Sequence, residues 1–413
     1  MLNWASRFNI FCLLDNLHYD FSKPAFECLL AVGSKKNITA SAGSAFSSLK
    51  QFYSANNNEW LFGHFGYDLK NETDRLRSKN FDGVKFPDLH FFVPEIVLQL
   101  DDKGLKIHCD GDEEGIFNEI LSCSSEISDN SKSSIDASPR ISKGDYISIV
   151  EKLKQHIHRG DCYEINFCQE FFDEKADIDP LLAYHRLTSI SPNPFSAFYK
   201  LNNIYCCCAS PERFLKKEGS KVISQPIKGT SRRNTMDRLS DNVNREYLLN
   251  SAKEKSENVM VVDLVRNDLS RICKPGSVKV DELFGVYSFP QVHQMISTVS
   301  GEIDENVHPV DIIKETFPMG SMTGAPKHRV LELIEEYEQT KRGIFSGAIG
   351  YFKPHESDNG DFDFNVVIRS VMYNDTDKYL SFQAGSGITF YCDAEFEYDE
   401  CMLKAAAIKS ILQ

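Results

Sequence analysis

Residues 315–329, ETFPMGSMTGAPKHR, place two prolines and two glycines around Ser321, Thr323 and Lys327. A helical pattern follows directly, with apolar positions at Val330, Leu331, Leu333, Ile334 and Tyr337. A loop of this composition that ends at a helix start can direct backbone N–H groups, a hydroxyl and an ammonium at an anion. The stretch is therefore either an anion cradle or an ordinary loop before a helix.

This loop is not a nucleoside triphosphate motif. A Walker loop needs glycine before its lysine and Ser or Thr after it, whereas Pro326 and His328 flank Lys327.

The amino-acid composition narrows the class of protein. The 413 residues are 41% hydrophobic and 26% charged, and 46 Lys and Arg against 60 Asp and Glu give a net charge of −14. A soluble globular protein is expected, and nucleic-acid binding is disfavoured.

The sequence carries no sign of membrane insertion, disulfides or zinc. It contains no apolar run of transmembrane length, and its start lacks a signal-peptide pattern, so a cytoplasmic protein without membrane contact is expected. The 12 cysteines lack paired CxxC spacing, which predicts reduced, packed thiols. The adjacent Cys206, Cys207 and Cys208 lie in a predicted strand, so their side chains alternate between faces and cannot share one metal ion.

The pattern along the chain predicts three regions: a β-rich region over 1–121, a Ser-rich linker over 122–142 and a larger region over 143–413. The third region begins with an amphipathic helix, followed by a strand over 162–172. Predicted later elements are one long helix over 237–274, neighbouring strands at 348–352, 364–373 and 379–390, and a final helix over 393–412. Without strict βαβ alternation, this mixture predicts an α+β fold with antiparallel sheets.

Gly320–Lys327, GSMTGAPK, is similar to a loop of the chorismate-utilising enzymes, and further signatures of that family follow in matching order. They are SPERF (210–214), PIKGT (226–230), ENVMVVDLVRNDL (257–269), PGSVKV (275–280), VHQMIS (292–297), SGAIGYF (346–352), VVIRS (366–370) and AGSGI (384–388). The resemblance runs from about residue 140 to the end, with a weaker match at 61–68. It implies large packed antiparallel sheets flanked by helices, an active site in a cleft, and chorismate as substrate.

Two Glu-x-x-Glu pairs, Glu254 with Glu257 and Glu397 with Glu400, each place two carboxylates on one helix face. Such pairs are more often solvated helix surface, but four converging carboxylates would suit Mg²⁺, which keeps several waters and can bridge to a substrate carboxylate. The resemblance implies that Glu257 and Glu400 bind magnesium, with Glu254 and Glu397 close by. Their pKa values should then depend on the metal.

Lys228, in PIKGT, separates two branches of the family. Members that form aminodeoxychorismate carry lysine here, whereas members that form anthranilate usually carry alanine. The resemblance implies that the lysine amine attacks C2 of chorismate and expels the C4 hydroxyl, after which ammonia enters at C4 and releases the lysine. Because the nucleophile must be the neutral amine, we expect a desolvated pocket or a nearby cation to lower the pKa of Lys228. The alternative is an exposed lysine at a strand end.

The resemblance also assigns the remaining site residues. Arg369 and Lys404 match positions that hold the carboxylates of the substrate, and His293 matches a histidine that lies by the ring and assists the leaving group. Close approach of backbone to the ligand is expected at Gly229, Thr230, Thr323, Gly385 and Gly387.

Glu164 departs from the family pattern. Aminating members usually carry glutamine here, and hydroxylating members carry a lysine that activates water, so hydroxylation is not expected. The glutamate could hold an ammonium ion or replace the hydrogen bonds of the glutamine.

Together these features predict amination of chorismate at C4 for 4-aminobenzoate and folate synthesis. No glutaminase module is recognisable, so ammonia is expected from a separate glutamine amidotransferase subunit. The alternatives are amination at C2 with loss of pyruvate, which Lys228 argues against, and a silent homologue that only binds chorismate or a partner.

Overall fold

The computed structural model describes residues 1–19, 27–123, 135–357 and 359–412. The strands are β1 (Ile10–Asp15), β2 (Cys28–Val32), β3 (Lys36–Ala40), β4 (Leu61–Phe65), β5 (Leu89–Val93), β6 (Ile96–Asp101), β7 (Gly104–Cys109), β8 (Ser138–Pro139), β9 (Glu164–Asp173), β10 (Phe195–Leu201), β11 (Ile204–Ser210), β12 (Arg213–Glu218), β13 (Lys221–Gln225), β14 (Ile227–Arg232), β15 (Lys279–Ser288), β16 (Val292–Glu302), β17 (Gly324–Ala325), β18 (Ala348–Phe352), β19 (Phe362–Asn365), β20 (Ser370–Asn374) and β21 (Tyr379–Thr389).

The helices complete the set of elements. The α-helices are α1 (Leu2–Ala5), α2 (Ala45–Ser54), α3 (Lys70–Thr73), α4 (Glu113–Ser122), α5 (Lys143–His158), α6 (Pro180–Ile190), α7 (Arg238–Asn250), α8 (Ala252–Ser270), α9 (Pro309–Thr316), α10 (Lys327–Tyr337) and α11 (Ala394–Lys409). Short 3₁₀ turns lie at Tyr67–Leu69 and Gly320–Met322. Within the described residues, no helix is both long enough and apolar enough to cross a membrane.

Two antiparallel sheets form the framework, which confirms the predicted α+β class. The first has 11 strands in the order β17-β9-β21-β20-β11-β10-β1-β2-β6-β7, with β8 paired to β9. The second has 10 strands in the order β14-β16-β13-β12-β19-β18-β4-β5-β3, with β15 paired to β16. Apolar residues of both sheets share one core, and the other face of the first sheet packs with residues of α5, α6, α10 and α11 in a second core.

The alternation of side chains along β11 shows how the two cores are separated. Cys206 and Cys208 belong to the core between the sheets, whereas Cys207 belongs to the core beneath the helices. The three thiols therefore point to opposite faces of one strand, as predicted. All twelve cysteines are free, and ten are buried.

Several predicted elements are confirmed. Helix α5 has the expected buried stripe, with Tyr146, Val150 and Leu153 inside, and the hydroxyl of Ser142 caps its first turn. Gly160 follows this helix with a φ of 84°, a conformation that glycine adopts without strain. The strand predicted over 162–172 is β9, and the final helix is α11.

Two predicted elements are wrong in their continuity. The single helix over 237–274 is two helices, because Ser251 leaves the helical conformation at ψ 116° and its hydroxyl accepts the N–H of Glu254 to begin α8. The strand over 364–373 is also divided. Strand β19 ends at Asn365 in the second sheet and β20 begins at Ser370 in the first, so the chain crosses between sheets. The β-branched and apolar residues on both sides of the crossing favour strands, so the sequence does not mark the break between them.

The N-terminal strands are part of both sheets. Strand β1 pairs with β10 in the first sheet, and β4 pairs with β18 in the second. The predicted division at 122–142 stays a prediction, and residues 124–134 of that segment lie outside the described residues.

A buried arginine ties β9 to the loop before α10. Arg342 is 3% exposed, donates to the carbonyl oxygens of Met322 at 2.7 Å and Asn166 at 2.8 Å, and pairs with the carboxylate of Glu338. Glu338 in turn accepts the N–H of Cys168 at 2.9 Å. These bonds fix the backbone of β9 relative to the loop, and β9 begins at Glu164.

We expect Arg342→Met to lower the free energy of unfolding by about 3–5 kcal/mol, because it leaves the carboxylate of Glu338 buried and unpaired. Chemical denaturation would measure the loss. Arg7→Met is the matched control, since Arg7 pairs with Glu119 at the surface, where such a change costs roughly 0–1 kcal/mol. Equal losses in the two variants would contradict a structural role for the buried pair.

Candidate active site

An ion pair between Glu164 and Lys228 joins the two sheets. Glu164 begins β9, where it lies opposite Thr389 of β21 and Ala325 of β17. Lys228 lies on β14, the end strand of the second sheet. Its Nζ donates to Oε1 of Glu164 at 2.6 Å, and Glu164 is 2% exposed. The predicted nucleophile is thus a partly buried cation, with 14% of its side chain exposed, and not an exposed lysine at a strand end.

Two glycines make room for this pair. A Cβ at Gly387 would meet Nζ of Lys228 at 2.8 Å and Oε1 of Glu164 at 3.0 Å. A Cβ at Gly324, whose φ is 148°, would meet the carbonyl oxygen of Glu164 at 2.1 Å. Any side chain at Gly387 would therefore press on the reactive pair, and any at Gly324 would displace β9. Gly387 thus lies beside the ion pair, and its contact with the substrate stays a prediction.

The charge state of Lys228 contradicts the sequence-based expectation. Burial by itself would lower its pKa, but the carboxylates of Glu164, Glu257 and Glu400 raise it above the ordinary value. The expected lowering is therefore wrong for the protein without metal or substrate. The reason is that desolvation is outweighed by facing carboxylates. These carboxylates favour the ammonium form of Lys228, whereas the predicted nucleophile is the neutral amine.

Glu212 is a functional candidate that sequence reasoning missed. It follows β11 in the SPERF motif, is 4% exposed, and accepts a hydrogen bond from Ser321 Oγ at 2.5 Å. Burial raises its pKa to about 7, although Ser321 and the charge of Lys228 act to lower it. A carboxyl that titrates near neutrality beside a reactive lysine can donate or accept a proton. The sequence signal that could have identified Glu212 is its position as the one acidic residue of the SPERF motif.

The side chains of Ser321, Thr323 and Lys327 in the loop of residues 320–327 are each bonded to other groups of the protein. Lys327 Nζ donates to Oδ2 of Asp268 at 2.6 Å, which ties the start of α10 to α8. The hydroxyl of Thr323 donates to the carbonyl oxygen of Met319 at 3.2 Å, and Thr323 is fully buried. With Ser321 bonded to Glu212, the anion-cradle interpretation is wrong for these three side chains. The loop instead fixes Glu212 and β17.

Helices α8 and α11 bring the two glutamate pairs together around Lys253. Its Nζ lies 3.9 Å from Oε1 of Glu257 and 4.0 Å from Oε1 of Glu397. Burial raises the pKa of Glu254 and of Glu397, and raises that of Glu257 to about 7. Burial would also raise the pKa of Glu400, but the ammonium of Lys404 lowers it overall. The four carboxylates predicted to surround a metal thus share one electrostatic environment.

These donors fit magnesium only as part of a mixed ligand set. Among the described residues, no group of three or more His, Cys, Asp or Glu side chains is placed to hold a metal by itself. Oε1 of Glu257 is buried and has no hydrogen-bond partner among the residues that the structure describes. Magnesium commonly binds one or two carboxylates and completes its shell with water and substrate oxygens. Glu257 and Glu400 could contribute those carboxylates, with Glu254 and Glu397 behind them.

The two predicted substrate cations lie in different surroundings. Lys404 Nζ lies 2.8 Å from Oε1 of Glu400 and donates to the carbonyl oxygen of Gly385 at 2.9 Å. Arg369 lies in the crossing between β19 and β20 with a φ of 50°, and not within one continuous strand over 364–373. Burial lowers its pKa to about 10, and it forms no ion pair with an acidic side chain of the described residues. A partly buried guanidinium without a carboxylate partner suits an anionic ligand.

His293 is held by groups other than Lys228. It is 1% exposed, its Nδ1 lies 2.8 Å from Oγ of Ser288, and its Nε2 lies 3.2 Å from Oδ1 of Asp241. The guanidinium of Arg233 holds Asp241 and lowers the pKa of that carboxyl to about 2. The role of His293 at the substrate ring stays a prediction.

The two remaining predicted contacts follow Lys228 on β14. Gly229 has a φ of 101°, and a Cβ there would meet Oε2 of Glu254 at 3.1 Å, so this glycine lets β14 approach the glutamate pair on α8. Thr230 is exposed. The structure therefore places Lys228 and Gly387 beside Glu164 and places Gly229 beside Glu254. The contacts of these residues, of Thr230 and of Thr323 with the substrate stay predictions.

Comparison with known proteins points to one family and to two kinds of product. The model of the chorismate binding enzyme family matches residues 11–410. Aminodeoxychorismate synthase component 1 of Escherichia coli is 33% identical over 355 residues, covering 85% of this chain and 76% of the relative. Anthranilate synthase component 1 of Acetivibrio thermocellus is 33% identical over 375 residues, covering 85% and 74%.

A plant relative is longer than this chain. The probable chloroplastic aminodeoxychorismate synthase of Oryza sativa subsp. japonica is 34% identical over 392 residues, which is 85% of this chain but 43% of the relative. The chain thus spans less than half of that protein. Among solved structures, anthranilate synthase component I of Streptococcus pneumoniae TIGR4 superposes with a TM-score of 0.79 at 27% identity, covering 92% of this chain and 91% of that one.

The raised pKa of Glu257 predicts a stability effect that depends on pH. Because its folded pKa of about 7 exceeds the ordinary 4.5, this carboxyl stabilises the metal-free protein at low pH, and the contribution is lost as pH rises from 4.5 through 7. We expect Glu257→Gln to raise the melting temperature of metal-free protein at about pH 8 and to leave it nearly unchanged at about pH 5. Calorimetry in a chelator checks both. A fall at about pH 8 would show that the carboxylate is stabilised by its neighbours.

Proposed function

The chain belongs to the family of chorismate-binding enzymes, and from that premise we propose that it aminates chorismate at C4 to give 4-amino-4-deoxychorismate for 4-aminobenzoate and folate synthesis. The observation that carries the proposal is Lys228, a partly buried lysine whose Nζ lies 2.6 Å from Oε1 of Glu164 and whose pKa is raised by the further carboxylates of Glu257 and Glu400. A lysine at this position is the feature that distinguishes C4 amination within the family. Its burial beside acids places a potential nucleophile in a proton-exchanging environment.

Substrate binding is assigned to the cations of the site. Chorismate carries two carboxylates, and Arg369 and Lys404 are the candidates to hold them. When bound, Mg²⁺ would hold a substrate carboxylate and offset the charges of Glu257 and Glu400, which otherwise favour the protonated form of Lys228. Backbone at Gly385 and Gly387 would border the ring, since neither glycine presents a side chain to it.

The first chemical step forms a bond between Lys228 and the ring. The neutral amine attacks C2, the ring double bonds shift, and the C4–O bond breaks. Glu212, with a pKa of about 7, gives a proton to the departing oxygen, which leaves as water. Glu212 is reprotonated by the proton that Lys228 loses when it becomes the neutral amine. The adduct is a secondary ammonium that joins Lys228 to C2.

The second step replaces the lysine by ammonia. Ammonia attacks C4, the double bonds shift back, and the C2–N bond breaks to release Lys228. His293 is the candidate to orient the ring during these steps. The ammonia would come from a separate glutamine amidotransferase subunit, a proposal supported by the component 1 designation of the Escherichia coli relative.

Anthranilate formation is the second candidate. It is favoured by the equal identity, 33%, to the Acetivibrio thermocellus anthranilate synthase component and to the Escherichia coli aminodeoxychorismate synthase component. That reaction would aminate C2 and release pyruvate, and it would leave Lys228 without a covalent role. A silent homologue, the third alternative, would not need Lys228, Glu257, Glu400, Arg369 and Lys404 together.

Product identification distinguishes these functions. We expect the purified chain, given chorismate, Mg²⁺ and an ammonium salt at mildly alkaline pH, to form aminodeoxychorismate, which added lyase converts to 4-aminobenzoate. Chromatography and mass spectrometry would identify the product. Anthranilate would refute C4 amination, and no turnover under any ammonium supply would favour the silent homologue.

Substitution of the nucleophile tests the role of the lysine. We expect Lys228→Ala to lose C4 amination while it still binds Mg²⁺ in a calorimetric titration, because the acidic cluster remains. Lys152→Ala is the control, since Lys152 is exposed on α5. Normal turnover by the Lys228 variant would remove the lysine from the mechanism.

A further inference from the structure

Glu164 uses only one of its two carboxylate oxygens. Oε1 accepts from Lys228, whereas Oε2 is buried and has no hydrogen-bond partner among the described residues. A buried acceptor left without a donor destabilises the folded protein, and more so when the acceptor is charged. The arrangement therefore provides a vacant acceptor directly beside the nitrogen that forms the covalent adduct.

The surroundings of Glu164 favour a cation or a proton donor at Oε2. The carboxylate of Glu257 raises the pKa of Lys228 together with Glu164, and Glu164 in turn raises the pKa of Glu257. Lys253 lies 3.9 Å from Oε1 of Glu257, so the ammonium of Lys228 is the cation bonded to Glu164, and it contacts only Oε1. Gly387 lies close to Oε1 and Gly324 close to the backbone carbonyl oxygen of Glu164, and neither residue can contribute a side-chain donor to Oε2. A small positive ligand with N–H donors would satisfy Oε2.

We propose that Oε2 of Glu164 binds the amine donor as an ammonium ion and that the Glu164 carboxylate relays a proton from this ammonium to the departing Lys228 amine. The inference rests on the proposed function and deepens it, because it specifies the form of the nitrogen donor and the base that activates it. It also assigns a catalytic role to a residue that replaces the usual glutamine of the family.

The proton balance closes over the second step. Ammonium gives one proton to Oε2, which leaves ammonia and a neutral carboxyl. The ammonia lone pair forms the C4–N bond, and the C2–N bond breaks with its electron pair on Lys228, which departs as a neutral amine. The carboxyl group then turns so that the protonated oxygen faces the Lys228 amine and gives it the proton, which restores the ion pair, while the product carries the new ammonium on C4. An amide in place of Glu164 cannot accept that proton.

Glu164→Gln tests the relay, because the amide keeps the shape and an acceptor but not the base. We expect kcat/KM for ammonium to fall at least about a hundredfold, the usual contribution of a general base. With hydroxylamine, which is largely neutral near neutral pH and needs no deprotonation, kcat/KM should stay within about threefold of the unsubstituted protein. Glu151→Gln, an exposed site on α5, is the control.

The outcomes separate the two levels of the proposal. The relay would be overturned if Glu164→Gln lowered kcat/KM for ammonium and for hydroxylamine by the same factor, or if it left kcat/KM for ammonium unchanged. Failure of the unsubstituted protein to aminate chorismate with any nucleophile would overturn the proposed function itself.

A measurement on the unsubstituted protein removes any dependence on folding of the variant. If ammonium is the form bound, KM expressed as total ammonium should stay nearly constant across neutral pH. If free ammonia is bound, that KM should fall about tenfold for each unit of rising pH, since the free base increases by that factor well below the pKa of the amine. Such a fall would contradict the ammonium site.

Discussion

The ion pair between Glu164 and Lys228 is the contact on which the rest of the site depends. It joins the start of β9 in one sheet to β14 at the end of the other, and both partners are largely withdrawn from water. Oppositely charged groups in such a position are stable only when the geometry is held closely. The glycines at 324 and 387 allow the close approach, and the Arg342–Glu338 pair fixes the backbone of β9 behind it.

The site holds more acids than bases, and this excess accounts for its chemistry. Lys228, Lys253 and Lys404 lie among five carboxylates, of which Glu257 has a pKa raised to about 7 by burial. The facing carboxylates raise the pKa of Lys228, so under the proposed mechanism substrate, metal or proton transfer must redistribute charge before its amine attacks. The same excess that restrains the nucleophile attracts cations. A magnesium ion and an ammonium ion are the two cations that the proposed reaction uses.

The sequence predicted what is local and missed what is paired over long distance. Periodicity reveals features whose residues lie three or four positions apart in the sequence. Examples are the buried stripe of Tyr146, Val150 and Leu153 and the pair formed by Glu254 and Glu257. The partner of Lys228 lies 64 positions away, and that of Lys327 lies 59 positions away. Neither pairing appears in any local pattern, which explains why the pKa of Lys228 was predicted in the wrong direction and why Lys327 was considered for an anion.

Covalent catalysis by Lys228 is the central claim, and trapping the adduct tests it most directly. The protein would be mixed with chorismate and Mg²⁺ in the complete absence of ammonia, quenched, and analysed by intact mass and peptide mapping. The account predicts an added mass equal to chorismate less one water, located on the peptide that contains Lys228. An unmodified chain under conditions where ammonia restores turnover, or an adduct on another residue, would contradict it.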